Sequence, residues 1–251
     1  MKVIFHPRFY EHYTQDPAAA PGRMEAIVKA LEKKFEFIEP GPAAERDLER
    51  VHGRQHIQSV KGDPLVYEIG LLSAGGAILA GEMAFDGQPG FGLIRPPGHH
   101  ASPHSCWGFC YFNNIAIAIK RLIHEEKINR ALILDFDLHY GDGTANTFAG
   151  TRAVTYFHPE GAHRQTFLDA IQKTLGSDKD YDIIAISAGF DRHEEDWGGL
   201  LKTEDYQSIG KWAREFSIEN CQGRRFAVLE GGYNHSVLGK NVRSFLQGFT
   251  D

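Results

Sequence analysis

Short apolar runs alternate along the chain with longer stretches of helical periodicity. The runs at residues 3–5, 92–94, 131–136, 153–157, 183–187 and 226–229 are apolar or β-branched and end in turn residues, so each predicts a buried strand. Between them, Met24, Ile27, Val28, Leu31 and Phe35 follow Pro21 and Gly22 at helical spacing. Ile115, Ile117, Ile119, Leu122 and Ile123 do the same after Asn113 and Asn114. Strand and helix in repeated alternation predict an α/β domain whose mostly parallel central sheet is covered by helices on both faces. Such sheets bind ligands beyond the carboxyl ends of their strands, so polar clusters at those ends are the candidate chemistry. Residues 39–42 read as a turn. Gly75 and Gly76, inside the apolar stretch 71–80, either let a neighbour pack closely or break that helix.

Composition narrows the class. With 251 residues and 42% hydrophobic side chains, the chain can bury a core without disulfides. No fixed-period repeat, low-complexity tract or Pro/Gly/Ser linker divides it, so a single domain over residues 1–251 is expected. A net charge of -6 gives no excess of cations to neutralise phosphates, which argues against a nucleic-acid partner. The opening residues MKVIFHPRFY are interrupted by His6 and Pro7 and form neither a secretory h-region nor a membrane span, so a cytoplasmic protein with no membrane partner is expected. Cys106, Cys110 and Cys221 are an odd set with C-x3-C spacing, and read as buried or half-buried free thiols.

The densest chemistry lies where the run at 131–136 passes into Asp135, Asp137, His139 and Asp142. Strand alternation places Asp135, Asp137 and His139 on one face, where two carboxylates and an imidazole repel or stay unsatisfied without a cation. Asp191, just past Gly189 at the end of the run 183–187, is the natural third ligand. An Asp–His–Asp set leaves one metal position open, as in catalytic rather than structural zinc sites. Two oxygens and one nitrogen also accept iron, cobalt or manganese, with zinc the default. His99 and His100, set by Pro96, Pro97 and Gly98, are candidates to take up a proton and return it to a leaving amine, with Asp135 and Asp142 as spare acids to orient them. Tyr233, after Gly231 and Gly232, can offer its hydroxyl to a developing oxyanion.

Taken together, R-P-P-G-H-H-A at 95–101, G-F-C-Y-F-N-N at 108–114, D-F-D-L-H-Y-G-D-G-T at 135–144, S-A-G-F-D at 187–191 and L-E-G-G-Y-N at 229–234 resemble the histone deacetylase and acetylpolyamine amidohydrolase family. P-G-R-M-E-A-I at 21–27 is similar too. The resemblance implies a three-layer arginase/deacetylase-like sandwich and a zinc ion on Asp137, His139 and Asp191, which supplies nucleophile and Lewis acid for hydrolysis of an acyl amide. It implies His100 as general base paired with Asp142, His99 paired with Asp135 as electrostatic and proton-donating partner, and Tyr233 polarising the carbonyl. Gly108 and Phe109 match the wall of the acyl-lysine tunnel. Two structural potassium ions are implied, one on Asp135, Asp137, His139, Tyr156 and Phe157, the other on backbone near Phe148, Thr151 and Val154.

Two departures bear on substrate. The family's long loop after Tyr156 and Phe157, which carries a second aromatic wall, is nearly absent, and the stretch after Asp191 is short, which puts Trp197 at the mouth. The rim acid falls to Asp63 or Glu68. The shortened loops suggest an open pocket for a small acylated amine such as an acetylpolyamine, with acetyl-lysine as the other acyl amide the resemblance allows. The competing readings are a ureohydrolase-like enzyme with two metals, for which the acidic ligands are too few, and a non-catalytic acyl-ligand-binding module.

Overall fold

The computed structural model describes residues 1–176 and 180–250. Its sheet contains β1 (Lys2–Ile4), β2 (Glu36–Ile38), β3 (Gly90–Gly92), β4 (Ala131–Asp135), β5 (Val154–Phe157), β6 (Ile183–Ala188) and β7 (Arg225–Leu229), in the order β2-β1-β3-β7-β6-β4-β5. All six pairings are parallel, where a mostly parallel sheet was expected. Parallel strands need crossovers, which the helices supply: α1 (Arg23–Leu31), α2 (Glu45–Leu48), α3 (Arg54–Lys61), α4 (Pro64–Phe85), α5 (Asn114–His124), α6 (Asp142–Phe148), α7 (Arg164–Leu175), α8 (Thr203–Asn220) and α9 (His235–Thr250). One layer carries α4 and α5 against β1, β3, β6 and β7; the other carries α8 with α7, α9 and, through α9, α1.

β4, β6 and β7 are buried along their whole length, which is why they read as near-continuous apolar runs. Two expectations shift. The strand expected at 92–94 sits at Gly90–Gly92; Leu93 and Ile94 remain buried, and the Leu93 amide still donates to Ile4 O at 2.9 Å before the chain turns toward Pro96. β2 was not expected: it is a three-residue edge strand, only half-buried, with no apolar run to announce it. Phe35 falls outside α1, which ends at Leu31, yet still packs on the core.

The glycine pair in the 71–80 stretch serves close packing, and α4 runs through it unbroken. A Cβ on Gly75 would lie 2.0 Å from Gly41 O, and one on Gly76 would lie 2.6 Å from Ile94 Cγ2, so the 39–42 turn and the β3 exit rest directly on the helix backbone. α4 is long and apolar enough to cross a membrane by length and composition, but 67% of that window is buried inside the protein, which makes it the core helix of this layer.

Candidate active site

β3, β7, β6 and β4 lie side by side and run in one direction, so their carboxyl ends deliver residues 95–100, 230–233, 189–191 and 135–139 to one edge. There the expected metal ligands converge: one donor atom each from Asp137, His139 and Asp191 lies within 4.8 Å of the others. His139 Nδ1 is 3.3 Å from Asp137 Oδ1 and 3.2 Å from Asp191 Oδ2. Backbone amides fix the remaining oxygens, Gly231 N donating to Asp137 Oδ2 at 2.8 Å and Leu138 N to Asp191 Oδ1 at 2.9 Å. Asp191 Oδ2 is buried with no hydrogen-bond partner. A Cβ on Gly231 would stand 2.6 Å from Asp137 Oδ2 and 2.7 Å from Asp191 Oδ2, and one on Gly189 would stand 2.1 Å from Asp137 Oδ2. The two glycines therefore keep open a cradle lined by two carboxylates and an imidazole, with one acceptor orphaned, and this donor set fits a divalent cation.

The electrostatics agree. The carboxylates of Asp137 and Asp191, 3.3 and 3.2 Å from Nδ1, lift the His139 imidazole to about 10, so positive charge is favoured at the spot a cation would take. Burial works against charge on Asp137, yet His99 and donors from His139 and Gly231 hold it below the ordinary carboxylate value, while burial and then the charge of Asp137 push Asp191 up. A second buried group, His99, Cys110 and Glu230, also lies within 4.8 Å. It shares no residue with the first, and Glu230 is already committed to three donors.

The two histidines are held differently. His99 Nδ1 is 3.1 Å from Asp135 Oδ2 and its Nε2 is 3.8 Å from Asp137 Oδ1; burial alone would lower its pKa, but Asp137 and Asp135 outweigh burial and raise it well above the ordinary value. His100 Nδ1 is 2.7 Å from Asp142 Oδ1, at the first residue of α6. Burial and then the neighbouring His99 lower its pKa, with Asp142 opposing. One imidazole is thus biased toward the charged form and the other toward the neutral form.

Several positioning groups escaped the sequence reading. Glu230, inside the L-E-G-G-Y-N motif, accepts from Gly98 N at 2.7 Å, His99 N at 3.3 Å and Ser187 Oγ at 3.1 Å, and so ties the β3 exit to β6 and β7. Arg23, from the P-G-R-M-E-A-I segment, is fully buried and donates to Glu230 O at 2.6 Å and Gly232 O at 2.8 Å. Asp196 Oδ2 accepts from the amides of Tyr233 and Asn234, both at 2.8 Å, which fixes the tyrosine loop. The first two lie in segments that carry the resemblance, but neither Glu230 nor Arg23 had an assigned task there, and Asp196 carried no signal.

A cavity of about 110 Å³ is lined by His99, His100, His139, Gly231, Tyr233 and the wall residues Trp107, Gly108, Phe109 and Trp197. Gly108 and Phe109 both have positive φ, 59° and 67°; a Cβ on Gly108 would press to 2.4 Å from His100 Cδ2. Trp197 reaches the mouth as expected, stacked on Tyr233 with ring centroids 4.0 Å apart. Phe109 meets Tyr233 edge-on at 6.1 Å. Tyr233 is half-buried, and burial followed by the charges of Asp137 and Asp191 keeps its phenol protonated. β5 ends at Phe157 and α7 begins at Arg164, so the connection is as short as the sequence suggested. Neither rim candidate lines this cavity: Asp63 caps α4 through Leu65 N and Val66 N, and Glu68 pairs with Arg8 at 3.0 Å. All three cysteines are free; Cys106 is half-buried, Cys110 and Cys221 are buried.

The residues of the first potassium set already have partners. The Tyr156 hydroxyl donates to Asp135 Oδ2 at 2.9 Å and accepts from Gly141 N at 2.8 Å. Arg192 donates to Asp137 O at 3.1 Å and Leu138 O at 3.2 Å, with its guanidinium 4.4 Å over the Phe167 ring. A fixed positive charge thus stands at one carbonyl of that set. In the second set, Thr151 N donates to Phe148 O at 3.2 Å and Val154 opens β5.

Known proteins resemble this chain over most of its length. The sequence profile of the histone deacetylase domain matches residues 18–167 and 157–249. A probable deacetylase of Methanothermobacter thermautotrophicus is 31% identical over an alignment covering 99% of this chain and 90% of that protein. The alignment runs over 302 positions, more than the 251 residues of this chain, so the relative carries insertions relative to it. Histone deacetylase 10, chloroplastic, of Oryza sativa is 30% identical across 90% of this chain and 68% of its own length. A histone deacetylase-like amidohydrolase of Pseudomonas aeruginosa is 25% identical, covering 90% and 76%. The crystal structure of the HDA15 HD domain superposes with a TM-score of 0.83 at 22% identity, over 98% of this chain and 87% of that one, which places the fold. The chain belongs to the histone deacetylase domain family and is a hydrolase acting on amide bonds.

Proposed function

We propose that the chain removes an acyl group from a small acylated amine, such as an acetylpolyamine, or from an acetyl-lysine side chain, with one divalent cation held by Asp137, His139 and Asp191. The observation that carries this reading is the partnerless Asp191 Oδ2, buried 3.2 Å from His139 Nδ1 in a cradle that two glycines keep open. Zinc is the default ion, and iron, cobalt or manganese suit the same donors. When bound, such an ion supplies Lewis acidity toward a carbonyl and toward water.

His100, kept neutral by burial and by His99, is able to accept a proton and return it to the departing amine; Asp142 fixes its ring. His99, charged beside Asp135, contributes positive potential at the cavity floor. The Tyr233 hydroxyl, protonated at any working pH, donates to the carbonyl oxygen as charge develops there. Phe109 and Gly108 flank the acyl chain, and Trp197 offers an aromatic face at the mouth to a cationic amine, an attraction the net charge of -6 reinforces. Of the two potassium positions, the one at Phe148, Thr151 and Val154 belongs to this reading; at the other, Arg192 supplies the charge.

Zinc-loaded protein is mixed with acetylated polyamines, acetyl-lysine peptides and longer acyl amides, and released amine is followed, with Asp137→Ala and Tyr233→Phe as controls. Turnover lost in both variants supports the mechanism, and preference for free acetylated amines supports the substrate class. Cleavage of acetyl-lysine peptides alone sinks the small-amine assignment. No turnover of any member with one zinc bound per chain sinks the reading as a whole.

A further inference from the structure

Trp107 precedes the G-F-C-Y-F-N-N motif by one residue and is 55% exposed, an unfavourable place for an indole with no task. It is nevertheless tied down on two sides. Its Nε1–H donates to both oxygens of Asp142, at 3.1 Å and 2.9 Å, and its ring lies over His100 with centroids 3.9 Å apart and planes at 33°. His99 lies against His100 with centroids 4.0 Å apart and planes tilted by 43°. The His100 imidazole is thus in contact with both the His99 and the Trp107 rings. Asp142 holds Nδ1, and Gly108 closes the Cδ2 edge. What remains to the imidazole is its Nε2, turned to the cavity that His100 helps to line.

We propose that Trp107 is a positioning residue for the His100–Asp142 pair and at the same time the aromatic wall that the short connection after Phe157 does not supply. The Asp142 side chain is 36% exposed, and a carboxylate with one partner in water can rotate away from it. A donor shared between both oxygens fixes the carboxylate plane, leaving Oδ1 toward His100. The indole plate keeps water off one face of the ring and narrows the cavity from the side opposite Tyr233 and Trp197. The catalytic half of this inference rests on His100 acting as base.

Trp107→Phe keeps the plate and removes the donor; Trp107→Ala removes both. The expected result for Trp107→Phe is a loss of about tenfold in kcat with little change in KM, the size usual for an outer hydrogen-bond partner. Trp107→Ala should show the same loss in kcat and also a raised KM. Thermal unfolding midpoints close to that of the unaltered protein are expected for both. The contact itself is read without turnover: the chain has three tryptophans, and in ¹⁵N-labelled protein the indole resonance that disappears in Trp107→Phe should move in Asp142→Asn while the other two stay. A Trp107→Phe enzyme with unchanged kcat overturns the positioning role. An indole resonance indifferent to Asp142→Asn overturns the contact. If the unaltered protein turns over no acyl amide while that resonance does move, the base assignment of His100 fails and takes the catalytic half of the proposal with it.

Discussion

At the floor of the cavity Asp135, Asp137, Asp191 and Glu230 are 0 to 1% exposed, and backbone amides or hydroxyls from neighbouring strand ends hold each of them; at the mouth, Trp107 and Trp197 are 55% and 53% exposed and rest on other rings. The floor is built by parallel strands whose register brings four exits to one edge, so its geometry follows from the sheet. The mouth is built by loop residues, so its shape follows from what the short connections leave uncovered. The metal cradle and the aromatic mouth are therefore built by different parts of the chain, and Trp107 links the two through Asp142.

The largest effect should come from the floor. His100→Ala is expected to lower kcat by about 10²- to 10⁴-fold, the usual worth of a positioned base, with divalent-metal content unchanged by elemental analysis. A smaller loss would move proton transfer to His99. Next, Gly231→Ala drives a methyl between Asp137 and Asp191, and metal affinity measured by chelator competition should fall by about 10- to 100-fold, while tryptophan fluorescence from the mouth stays as it was. Equal affinity would show that the cradle is wider than the two carboxylates suggest.

Arg192→Met should lower unfolding stability in urea by about 1–2 kcal/mol, because buried carbonyls of Asp137 and Leu138 lose their donor. In the same variant a dependence of stability on potassium over choline should emerge that the unaltered protein shows only weakly; no such difference would count against Arg192 as the charge at that position. The smallest effect belongs to the mouth: Trp197→Ala removes a stack on Tyr233 worth about 0.5–1.5 kcal/mol and should raise KM more than it lowers kcat, with metal affinity intact. A Trp197→Ala variant that loses its metal would break the division between floor and mouth.

The same division governs what could be read from the sequence. Asp135, Asp137, His139 and Asp191 were legible because an apolar run leading straight into several ionisable side chains is a local pattern, and strand period fixes where they point. The β2 edge strand was not, since three half-buried residues leave no periodic trace. Arg23 and Glu230 were not, because their partners, mostly backbone atoms, lie at distant positions, and backbone has no sequence signature. Trp107 stands one residue outside a motif, and its orientation depends on positive φ at Gly108 and Phe109, which the glycine alone hints at. The glycines at 75 and 76 left two outcomes open, and the choice between them required knowing that the 39–42 turn lies on α4.

Arg23 also fixes an order of assembly. Its guanidinium spans 209 positions to reach Gly232 O and 207 to reach Glu230 O, so the β7 exit is locked only when the first helix and the last strand have found each other. Contacts of such separation form late and slowly compared with local ones. A nascent chain that has emerged only as far as Asp191, just past β6, already carries Asp137, His139 and Asp191, but it has no Gly231 amide for Asp137 and no Tyr233. The amide-cleaving site is thus completed by the β7 exit, synthesised after all three metal-ligand candidates, and a growing chain is spared a finished hydrolytic site until α1 and β7 have met.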